Sequence, residues 1–343
     1  MNFGELIFGS VINIFLFFTF IFILNLLGVL VYRKIAISFK ILAYPNFRTL
    51  HELSIPRGGG IVFSSIFVIG VFVLWYMNYV SNNLLFILGL GGALATLFGF
   101  IDDIFNIRAS YKLIIQVCLG IWLIYWLSGI PKFNEIGIIT IPIFIIFIVW
   151  MINAYNFMDG IGGMVVSGAF YVTGTLTLIM LITNNSSELL VFYILLMASV
   201  GAFMIFNWPP ASIFMGDSGS IFLGYLFGSF ILITVARGEL SLWTWVVIFG
   251  YFFADTTVTQ IARFILVKKY YIAHRSHAYQ NLARILDSHL KVTGGVTIYH
   301  IIWLLPLSLW TVLQPDMEKI AAFLAVVPGL AISYKYGPVL SSS

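Results

Sequence analysis

The chain has 343 residues, of which 61% are hydrophobic and 9% are charged, and its mean hydropathy is +1.05. No soluble domain needs so much apolar surface, so this composition excludes a soluble globular protein and predicts an integral membrane protein. The net charge is only +4, so no nucleic-acid partner is expected, and the single cysteine, Cys118, excludes a disulfide framework.

Apolar segments of about 20 residues are the signal for membrane-spanning helices. The chain contains eleven of them, which predicts an all-α polytopic membrane protein formed by a single domain over residues 1–343. The segments are roughly 6–31, 59–78, 83–101, 111–129, 138–154, 164–183, 189–206, 218–236, 243–267, 297–314 and 319–335.

Basic residues are distributed very unevenly between the two sides of these segments. Fourteen lysines and arginines lie in or beside the loops that follow odd-numbered segments and in the C-terminal tail. Only Lys132, Arg237 and Lys319 lie on the other side. Loops rich in lysine and arginine stay in the cytoplasm, so the N-terminus is predicted outside and the C-terminus in the cytoplasm. The outer loops are short and are expected to be plain turns.

The first cytoplasmic loop ends in FRTLHELSIPRGGG, where Arg48, His51 and Arg57 precede three glycines that open the second segment. Basic groups beside a glycine-rich helix start can hold an anion. The alternative is a basic loop that meets anionic lipid.

The third segment ends in GFIDDIFNIRASYK, with Asp102 and Asp103 adjacent at a membrane boundary. Adjacent carboxylates repel each other unless a cation or a shared proton relieves the repulsion. Apolar neighbours indicate partial burial, which favours a cation-associated pair over a structural pair exposed to water. Arg108 and Lys112 follow, either to pair with these acids or to contact phosphate.

The fifth segment continues into NAYNFMDGIGGM, in which Asn153, Asn156 and Asp159 are three residues apart and share a helix face. Two amides and a carboxylate on one face can coordinate a hard cation through oxygen. In the alternative interpretation, Asn156 caps the helix and the following glycines only form the turn.

The stretch from Phe206 to Ser220, FNWPPASIFMGDSGS, interrupts two apolar segments with prolines, glycines and Asp217. An acid, small residues and free backbone N–H groups at one helix start suit a magnesium ion that bridges to phosphate. The alternative is a connecting loop in which Asp217 or Ser218 caps the next helix.

The ninth segment contains Asp255 and Arg263, which we expect to pair with partners across the bundle for structural reasons. The polar loop after it contains His274, Arg275 and His277, a cluster of donors suited to a diphosphate. A solvated basic loop at the membrane surface is the alternative.

All of these motifs fall on the side that the charge distribution assigns to the cytoplasm. The pattern predicts one site, formed by loops 32–58, 102–111, 155–163, 207–217 and 268–296, which handles a phosphorylated, water-soluble substrate beside the lipid. A polytopic secondary transporter is the alternative, but its polar residues should gather near the bilayer midplane. An intramembrane aspartyl protease would need Gly-x-Gly-Asp, and Phe214 stands where its first glycine would be.

The motifs LHELSIPRGGG, FGFIDD, NAYNFMDGIGG, FNWPPASIFMGDSGS and HRSHAYQ, in this order, resemble those of one enzyme family over nearly the whole chain. The family is the polyprenyl-phosphate N-acetylhexosamine-1-phosphate transferases, of glycosyltransferase family 4. It includes the bacterial enzymes that initiate O-antigen, enterobacterial common antigen and teichoic acid linkage units, and the related phospho-MurNAc-pentapeptide translocase.

The resemblance implies an eleven-helix enzyme of the bacterial inner membrane whose active site faces the cytoplasm. Such an enzyme transfers a sugar 1-phosphate from a UDP-N-acetylhexosamine to undecaprenyl phosphate and releases UMP. Mg²⁺ is the implied cofactor, with Mn²⁺ as an alternative, and a homodimer is compatible with the resemblance.

The resemblance also implies roles for individual residues. Asp217 and Asn156 correspond to magnesium ligands, Asp102 and Asp103 to an essential acidic pair, and Asp159 to an acid of the substrate pocket. His274, Arg275 and His277 correspond to the diphosphate-binding loop. The residue patterns described above add Asn153, Arg57 and Lys112 as candidates for substrate binding.

Two positions depart from the family pattern. Gly162 stands where the family often has a second aspartate. The histidine loop commonly reads as an aspartate followed by His-x-His-His, whereas HRSHAYQ resembles the subgroup that makes O-antigen on 6-deoxy N-acetylhexosamines.

Family accounts use an aspartate to deprotonate the lipid phosphate. The second pKa of a phosphate monoester is about 6, so at neutral pH the acceptor is already mostly a dianion. The harder task is to bring this dianion to an anionic diphosphate. We therefore expect Asp102 and Asp103 to hold a cation or to position lysine and arginine, with proton abstraction by Asp102 as the alternative.

Overall fold

The computed structural model describes residues 11–43, 54–129, 140–183, 187–266 and 276–338. Arg48, His51, His274 and Arg275 lie outside these ranges, so their proposed anion contacts stay predictions.

The described residues form an almost entirely helical protein, which confirms the predicted all-α polytopic membrane class. Among them, nine helices are long and apolar enough to cross a membrane, and a pair of helices bent by 84° raises the number to ten. A further apolar helix has 17 residues. The count of eleven crossings, the outside N-terminus and the cytoplasmic C-terminus stay predictions.

The helices follow the predicted segments closely. In chain order they are α1 (Val11–Ser38), α2 (Gly60–Tyr76), α3 (Asn82–Phe105), α4 (Ala109–Leu127), α5 (Thr140–Met158), α6 (Met164–Ile182), α7 (Leu189–Asn207), α8 (Asp217–Arg237), α9 (Leu242–Ile248), α10 (Gly250–Leu266), α11 (Ala278–Ile285), α12 (His289–Leu313) and α13 (Glu318–Tyr336). α3 and α12 contain π-helical turns at Leu85–Gly91 and His300–Leu304.

α8 is the central helix, and 94% of its most apolar stretch is buried, more than in any other spanning helix of the described residues. It packs against α2, α3 and α5. A side chain on Gly60 of α2 would come within 2.3 Å of the Gly219 Cα, so the two backbones touch where α2 and α8 begin. Deeper in the bundle, the Phe222 ring packs against Phe67, with 5.6 Å between ring centroids. The start of α8 is therefore held inside the bundle.

The first loop returns to the bundle through a small hairpin. Strands β1 (Leu42–Ala43) and β2 (Ile55–Pro56) pair antiparallel. After β2, the Gly59 and Gly60 N–H groups donate to the carbonyls of Phe214 and Met215, at 3.0 and 2.8 Å. These N–H groups serve the segment that leads into α8. The anion site expected from the basic groups beside this helix start stays a prediction.

α9 and α10 are the two halves of the bent pair. α10 packs against α13 on one side. On another face Ile261, Phe264 and Ile265 are exposed. Large exposed apolar side chains are expected where a helix faces lipid, so α10 lies at the periphery of the bundle.

The far end of α8 carries an ion-pair network. Arg237 Nη2 lies 2.8 Å from Glu188 Oε1, and Arg237 Nη1 lies 3.6 Å from Glu239 Oε1. The Ser187 hydroxyl donates to Glu239 at 3.1 Å. The loops on this side, expected to be plain turns, also carry contacts that join the start of α7 to the end of α8.

Candidate active site

A lysine lies between two carboxylates at the start of α8. Lys112 Nζ contacts Asp102 Oδ2 and is 3.2 Å from Asp217 Oδ2. Asp102 is almost fully buried, whereas the side chains of Lys112 and Asp217 are 31% and 28% exposed. The arrangement sets one positive charge against two negative charges and leaves part of the lysine and of Asp217 open to a ligand.

The turn between α3 and α4 produces this pairing. Asn106 adopts a left-handed conformation, with φ 51°, which ends α3. The Ile107 N–H then donates to Asp102 Oδ1 at 2.8 Å. The chain reverses direction at this turn, which brings Lys112 in the first turns of α4 into contact with Asp102. Of the two alternatives for Lys112, the structure shows the pairing with the acids.

Asp103 caps α8 from a different helix. Its two carboxylate oxygens accept hydrogen bonds from the Asp217 and Ser218 N–H groups, both at 3.0 Å. A carboxylate at a helix N-terminus also interacts favourably with the helix dipole. Arg57 Nε lies 4.0 Å from Asp103 Oδ1, so a positive charge faces the same acid.

This cap corrects the prediction of free backbone N–H groups at the start of α8. Asp103 takes the first two N–H groups, and the Gly219 and Ser220 N–H groups donate to the Gly216 carbonyl. The alternative in which Asp217 or Ser218 caps the helix is wrong as well, since the cap comes from α3. At this helix start the Asp217 side chain stays partly exposed, at 28%, although Lys112 contacts one of its oxygens.

Gly216 is required for the cap. Its φ of 75° and ψ of 179° belong to a region that is essentially restricted to glycine. A Cβ there would also lie 2.6 Å from both carboxylate oxygens of Asp103. Asp103 can therefore approach the helix start only because residue 216 has no side chain.

Asn156 fixes the other oxygen of Asp217. Its Nδ2 donates to Asp217 Oδ1 at 2.8 Å and to Ser220 Oγ at 3.1 Å. Asp217 is thus held by Lys112 from α4 and by Asn156 from α5. Because the amide nitrogen faces the carboxylate, Asn156 orients Asp217 in this arrangement.

Asn153 lies one turn before Asn156 and has a different partner. It exchanges hydrogen bonds with the Gln116 amide across the contact between α4 and α5, at 2.7 and 3.4 Å. It also donates to the Val149 carbonyl at 2.7 Å. The structure places Asn153 in a helix interface, and its role in substrate binding stays a prediction.

Asp159 follows α5 by one residue and is electrostatically coupled to the same cluster. Burial raises the pKa of its carboxyl well above the usual range, and the negative charges of Asp217 and Asp103 raise it further. The role of Asp159 as an acid of the substrate pocket stays a prediction.

The loop after Asp159 is closed by side chains that sequence reasoning missed. Asn207 Oδ1 accepts from the Gly163 N–H at 2.9 Å, and Asn207 Nδ2 donates to the Ile213 carbonyl at 2.9 Å. Thr293 donates to the Gly162 carbonyl at 2.9 Å. A buried asparagine directly before Trp-Pro-Pro at the end of an apolar segment was the available signal for Asn207, whereas nothing local marks Thr293.

The structure explains why an aspartate is absent at position 162. A Cβ on Gly162 would lie 2.8 Å from the Asn207 carbonyl oxygen and 3.0 Å from the Ala211 Cβ. This chain therefore has no room for the second acid without a shift of the segment after α7.

His277 lies at the start of α11, and its side chain is buried. Its Nδ1 is 3.3 Å from Asp255 Oδ1. The expected partnering of Asp255 across the bundle is confirmed, and the partner is one of the residues named above for the diphosphate. That role of His277 stays a prediction.

Among the described residues, no group of three or more His, Cys, Asp or Glu side chains is arranged to hold a metal ion. Mg²⁺ in phosphate chemistry is often bound through one or two carboxylates, with water and substrate phosphate supplying the other ligands. A partly exposed Asp217 beside Asp102 fits that smaller donor set. The residues therefore suit a magnesium ion that arrives with a phosphorylated substrate better than one in a protein cage.

Part of the chain matches the sequence model of a known protein family. Residues 85–235 match the model of a family described as glycosyl transferase family 4. That range includes Asp102, Lys112, Asn156 and Asp217.

Curated relatives extend the similarity. The chain is 26% identical over 283 residues to a probable undecaprenyl-phosphate N-acetylglucosaminyl 1-phosphate transferase of Bacillus subtilis, which covers 78% of each chain. It is 32% identical over 201 residues to a phospho-N-acetylmuramoyl-pentapeptide-transferase of Fervidobacterium nodosum, which covers 54% of this chain and 61% of the relative. The corresponding enzyme of Petrotoga mobilis is 31% identical, with 52% and 60% covered. The alignments thus span about three fifths of the two pentapeptide transferases.

Proposed function

We propose that this chain, whose residues 85–235 match the model of glycosyl transferase family 4, transfers an N-acetylhexosamine 1-phosphate from a UDP-sugar to undecaprenyl phosphate. The observation that carries the proposal is the Lys112 ammonium between Asp102 and Asp217 at the start of the buried helix α8. This cluster offers charge of both signs to a phosphate at the end of a membrane bundle.

The reaction exchanges one phosphoryl bond for another. An oxygen of the lipid phosphate forms a bond to the β-phosphorus of the UDP-sugar, and the bond from that phosphorus to the bridging oxygen breaks. UMP leaves with the bridging oxygen, and the product is undecaprenyl-diphospho-sugar. Because the acceptor is already mostly a dianion at neutral pH, the protein has to bring two anions together rather than remove a proton.

The described residues suit that task. Lys112 supplies positive charge where the two phosphates would meet, and Asp102 and Asn156 fix the positions of Lys112 and Asp217. Mg²⁺, or Mn²⁺, would be held by Asp217 with Asp102 nearby and would neutralise diphosphate charge when bound. Asp103 acts indirectly, because it caps the start of α8, where Asp217 is located.

We further propose that the enzyme lies in the bacterial inner membrane with this site toward the cytoplasm, where UDP-sugars are made. The product would initiate O-antigen or another cell-envelope polysaccharide. The HRSHAYQ motif resembles that of the subgroup that uses 6-deoxy N-acetylhexosamines. The candidate donors are therefore UDP-FucNAc and UDP-QuiNAc as well as UDP-GlcNAc and UDP-GalNAc.

The test is UMP release by the purified full chain with undecaprenyl phosphate, MgCl₂ and a panel of UDP-N-acetylhexosamines. We expect release that requires both the lipid phosphate and one of the donors, and near-complete loss in Asp217→Asn. Protein that inserts and folds but releases no UMP with any donor would contradict the proposal. Appreciable turnover of Asp217→Asn at an unchanged magnesium requirement would remove Asp217 as a principal ligand.

The role of Asp102 has its own test. Both of its oxygens are engaged, by Lys112 and by the Ile107 N–H, which fits a residue that positions the lysine. We therefore expect Asp102→Asn to lose activity to a similar extent between about pH 6 and pH 9, above the second pKa of the acceptor phosphate. Recovery of activity as the pH rises would favour proton abstraction by Asp102 instead.

A further inference from the structure

A second buried carboxylate lies away from the cluster around Asp217, on the peripheral helix α10. The Asp255 side chain is fully buried and makes contacts on both of its oxygens. Its partners are the Tyr251 hydroxyl at 3.4 Å, the Thr259 hydroxyl at 3.1 Å, His277 Nδ1 at 3.3 Å, the Ala278 N–H at 3.0 Å and the Tyr279 N–H at 3.1 Å. The charge of a buried acid has to be compensated in this way.

Three of these contacts lie at the start of α11. The Ala278 and Tyr279 N–H groups are among the helix-start donors that have no partner within their own helix, and Asp255 satisfies both. His277 directly precedes α11, and its Nδ1 lies 3.3 Å from Asp255 Oδ1. Asp255 thus sets the position of α11.

The connection continues from α11 to the loop of Asp159. The Tyr279 hydroxyl donates to the Phe157 carbonyl at 2.7 Å. A Cβ on Gly160 would lie 2.3 Å from the same hydroxyl oxygen, so the backbone of this loop packs directly on Tyr279. The Tyr279 side chain therefore contacts the residues on either side of Asp159. The Tyr279 backbone N–H is in turn bound by Asp255.

Granted the proposed transferase activity, we infer that Asp255 is a positioning residue for the reaction. It anchors α11 to the membrane helix α10, and through Tyr279 it holds the loop on which Asp159 stands. It does so from outside the cluster of Asp102, Lys112 and Asp217.

The test compares the full chain with Asp255→Asn, which keeps the size of the side chain and removes its charge. Removing the partner that orients a functional side chain typically lowers activity by about 10- to 100-fold, so we expect a fall of that size in kcat/KM for the UDP-sugar. The KM for the lipid phosphate should change by less than about twofold. The matched control is Thr256→Val on the same helix. Among the described residues the buried Thr256 hydroxyl bonds only to backbone carbonyls of α10, so this change should leave activity unchanged.

A double-mutant cycle tests the route through Tyr279. Tyr279→Phe removes the bond to the Phe157 carbonyl and should also lower kcat/KM for the UDP-sugar. If both changes act through one connection, the double variant should be no worse than the poorer single variant. Effects that multiply would overturn the connection, and wild-type kinetics in Asp255→Asn would overturn the positioning role.

A chemical readout separates this inference from the activity. Cys118 is the only cysteine, so Cys118→Ser with Ala283→Cys gives one thiol at a buried position of α11. In the Asp255→Asn background the buried N–H groups at the start of α11 lose their charged acceptor, so α11 should detach more often and expose the thiol. We therefore expect maleimide labelling of this thiol to accelerate by at least about tenfold. Equal labelling rates would overturn the anchoring of α11. A chain that shows the labelling change but no UMP release with any donor would contradict the proposed function instead.

Discussion

At the scale of single residues, the site depends on how charge is balanced around Lys112. The lysine is the one cation in contact with both Asp102 and Asp217 among the residues that the structure describes. Without it, two carboxylates would face each other at the edge of a low-dielectric interior, where like charges repel strongly. The lysine therefore contributes to the shape of the site as well as to its charge.

We predict that Lys112→Gln lowers kcat by about 100- to 1,000-fold, the loss that follows removal of one preorganised group that stabilises developing charge. Lys112→Arg should retain part of the activity because it keeps the positive charge. Lys319→Gln makes the same chemical change at the start of α13 and is the control, measured by UMP release. A Lys112→Gln enzyme as active as this control would contradict the role of the lysine.

Asp159 gives the site a dependence on pH. Its pKa is raised by burial and by neighbouring acids, so the carboxyl holds its proton to a higher pH than an exposed aspartate does. A cation held nearby by Asp217 disfavours that proton through its charge, so metal binding is favoured as the pH rises through the raised pKa of Asp159. We expect the Mg²⁺ concentration for half-maximal activity to fall with increasing pH, and to do so less steeply in Asp159→Asn. Equal slopes in the two proteins would exclude Asp159 as the titrating group.

At the scale of elements, the start of α8 shows how two distant segments build one structure. Asp103 comes from α3 and the capped N–H groups come from α8, 114 and 115 positions later in the chain. A helix cap is usually supplied by the residue that precedes the helix, and here that residue is Gly216, which has no side chain to offer. The cap therefore ties the orientation of Asp217 to the packing of α3 against α8.

We predict that Gly216→Ala destabilises the protein by about 1–3 kcal/mol, because it imposes a Cβ on a backbone conformation that only glycine adopts readily. It should also lower kcat, since Asp103 would be displaced. Gly294→Ala is the matched control, because a Cβ on Gly294 would have no neighbouring atom within 4 Å. That change should stabilise α12 by about 0.5–1 kcal/mol. Thermal unfolding of the two variants in detergent measures both effects, and equal unfolding temperatures would contradict the strain at Gly216.

The same elements show what the sequence could predict. Apolar segment lengths located the helices, because a membrane span has to bury a long apolar stretch without interruption. The motif residues Asp102, Lys112, Asn156 and Asp217 were identified because polar residues beside apolar segments are unusual. The capping role of Asp103 and the pairing of Asp255 with His277 depend on contacts between distant segments, which local patterns do not contain.

At the scale of the whole molecule, the described functional candidates gather at one end of the bundle. Asp102, Lys112, Asn156 and Asp217 come from four helices, yet direct contacts link them at the start of α8. The charge distribution between loops predicts that this end faces the cytoplasm. Measuring the orientation therefore tests whether the site faces the compartment of the proposed UDP-sugar donor.

We predict that a fluorescent protein fused after residue 343 reports a cytoplasmic location. A reporter that is active only on the outer side should be inactive at this position and active when inserted between α8 and α9. The opposite pattern would place the cluster on the outer face of the membrane and would separate it from cytoplasmic UDP-sugars. The fusion protein should also release UMP, which controls for correct insertion.

The central helix α8 is held at both ends. Asp103 caps its N-terminus, and Arg237 at its C-terminus pairs with Glu188. Contacts at both ends restrict movement of α8 along its axis, so we expect α8 to keep Asp217 in place during the proposed reaction. A rearrangement that admits a lipid chain would then occur in other segments. Distance measurements between spin labels on α8 and α3, with and without substrates, should then show an unchanged spacing.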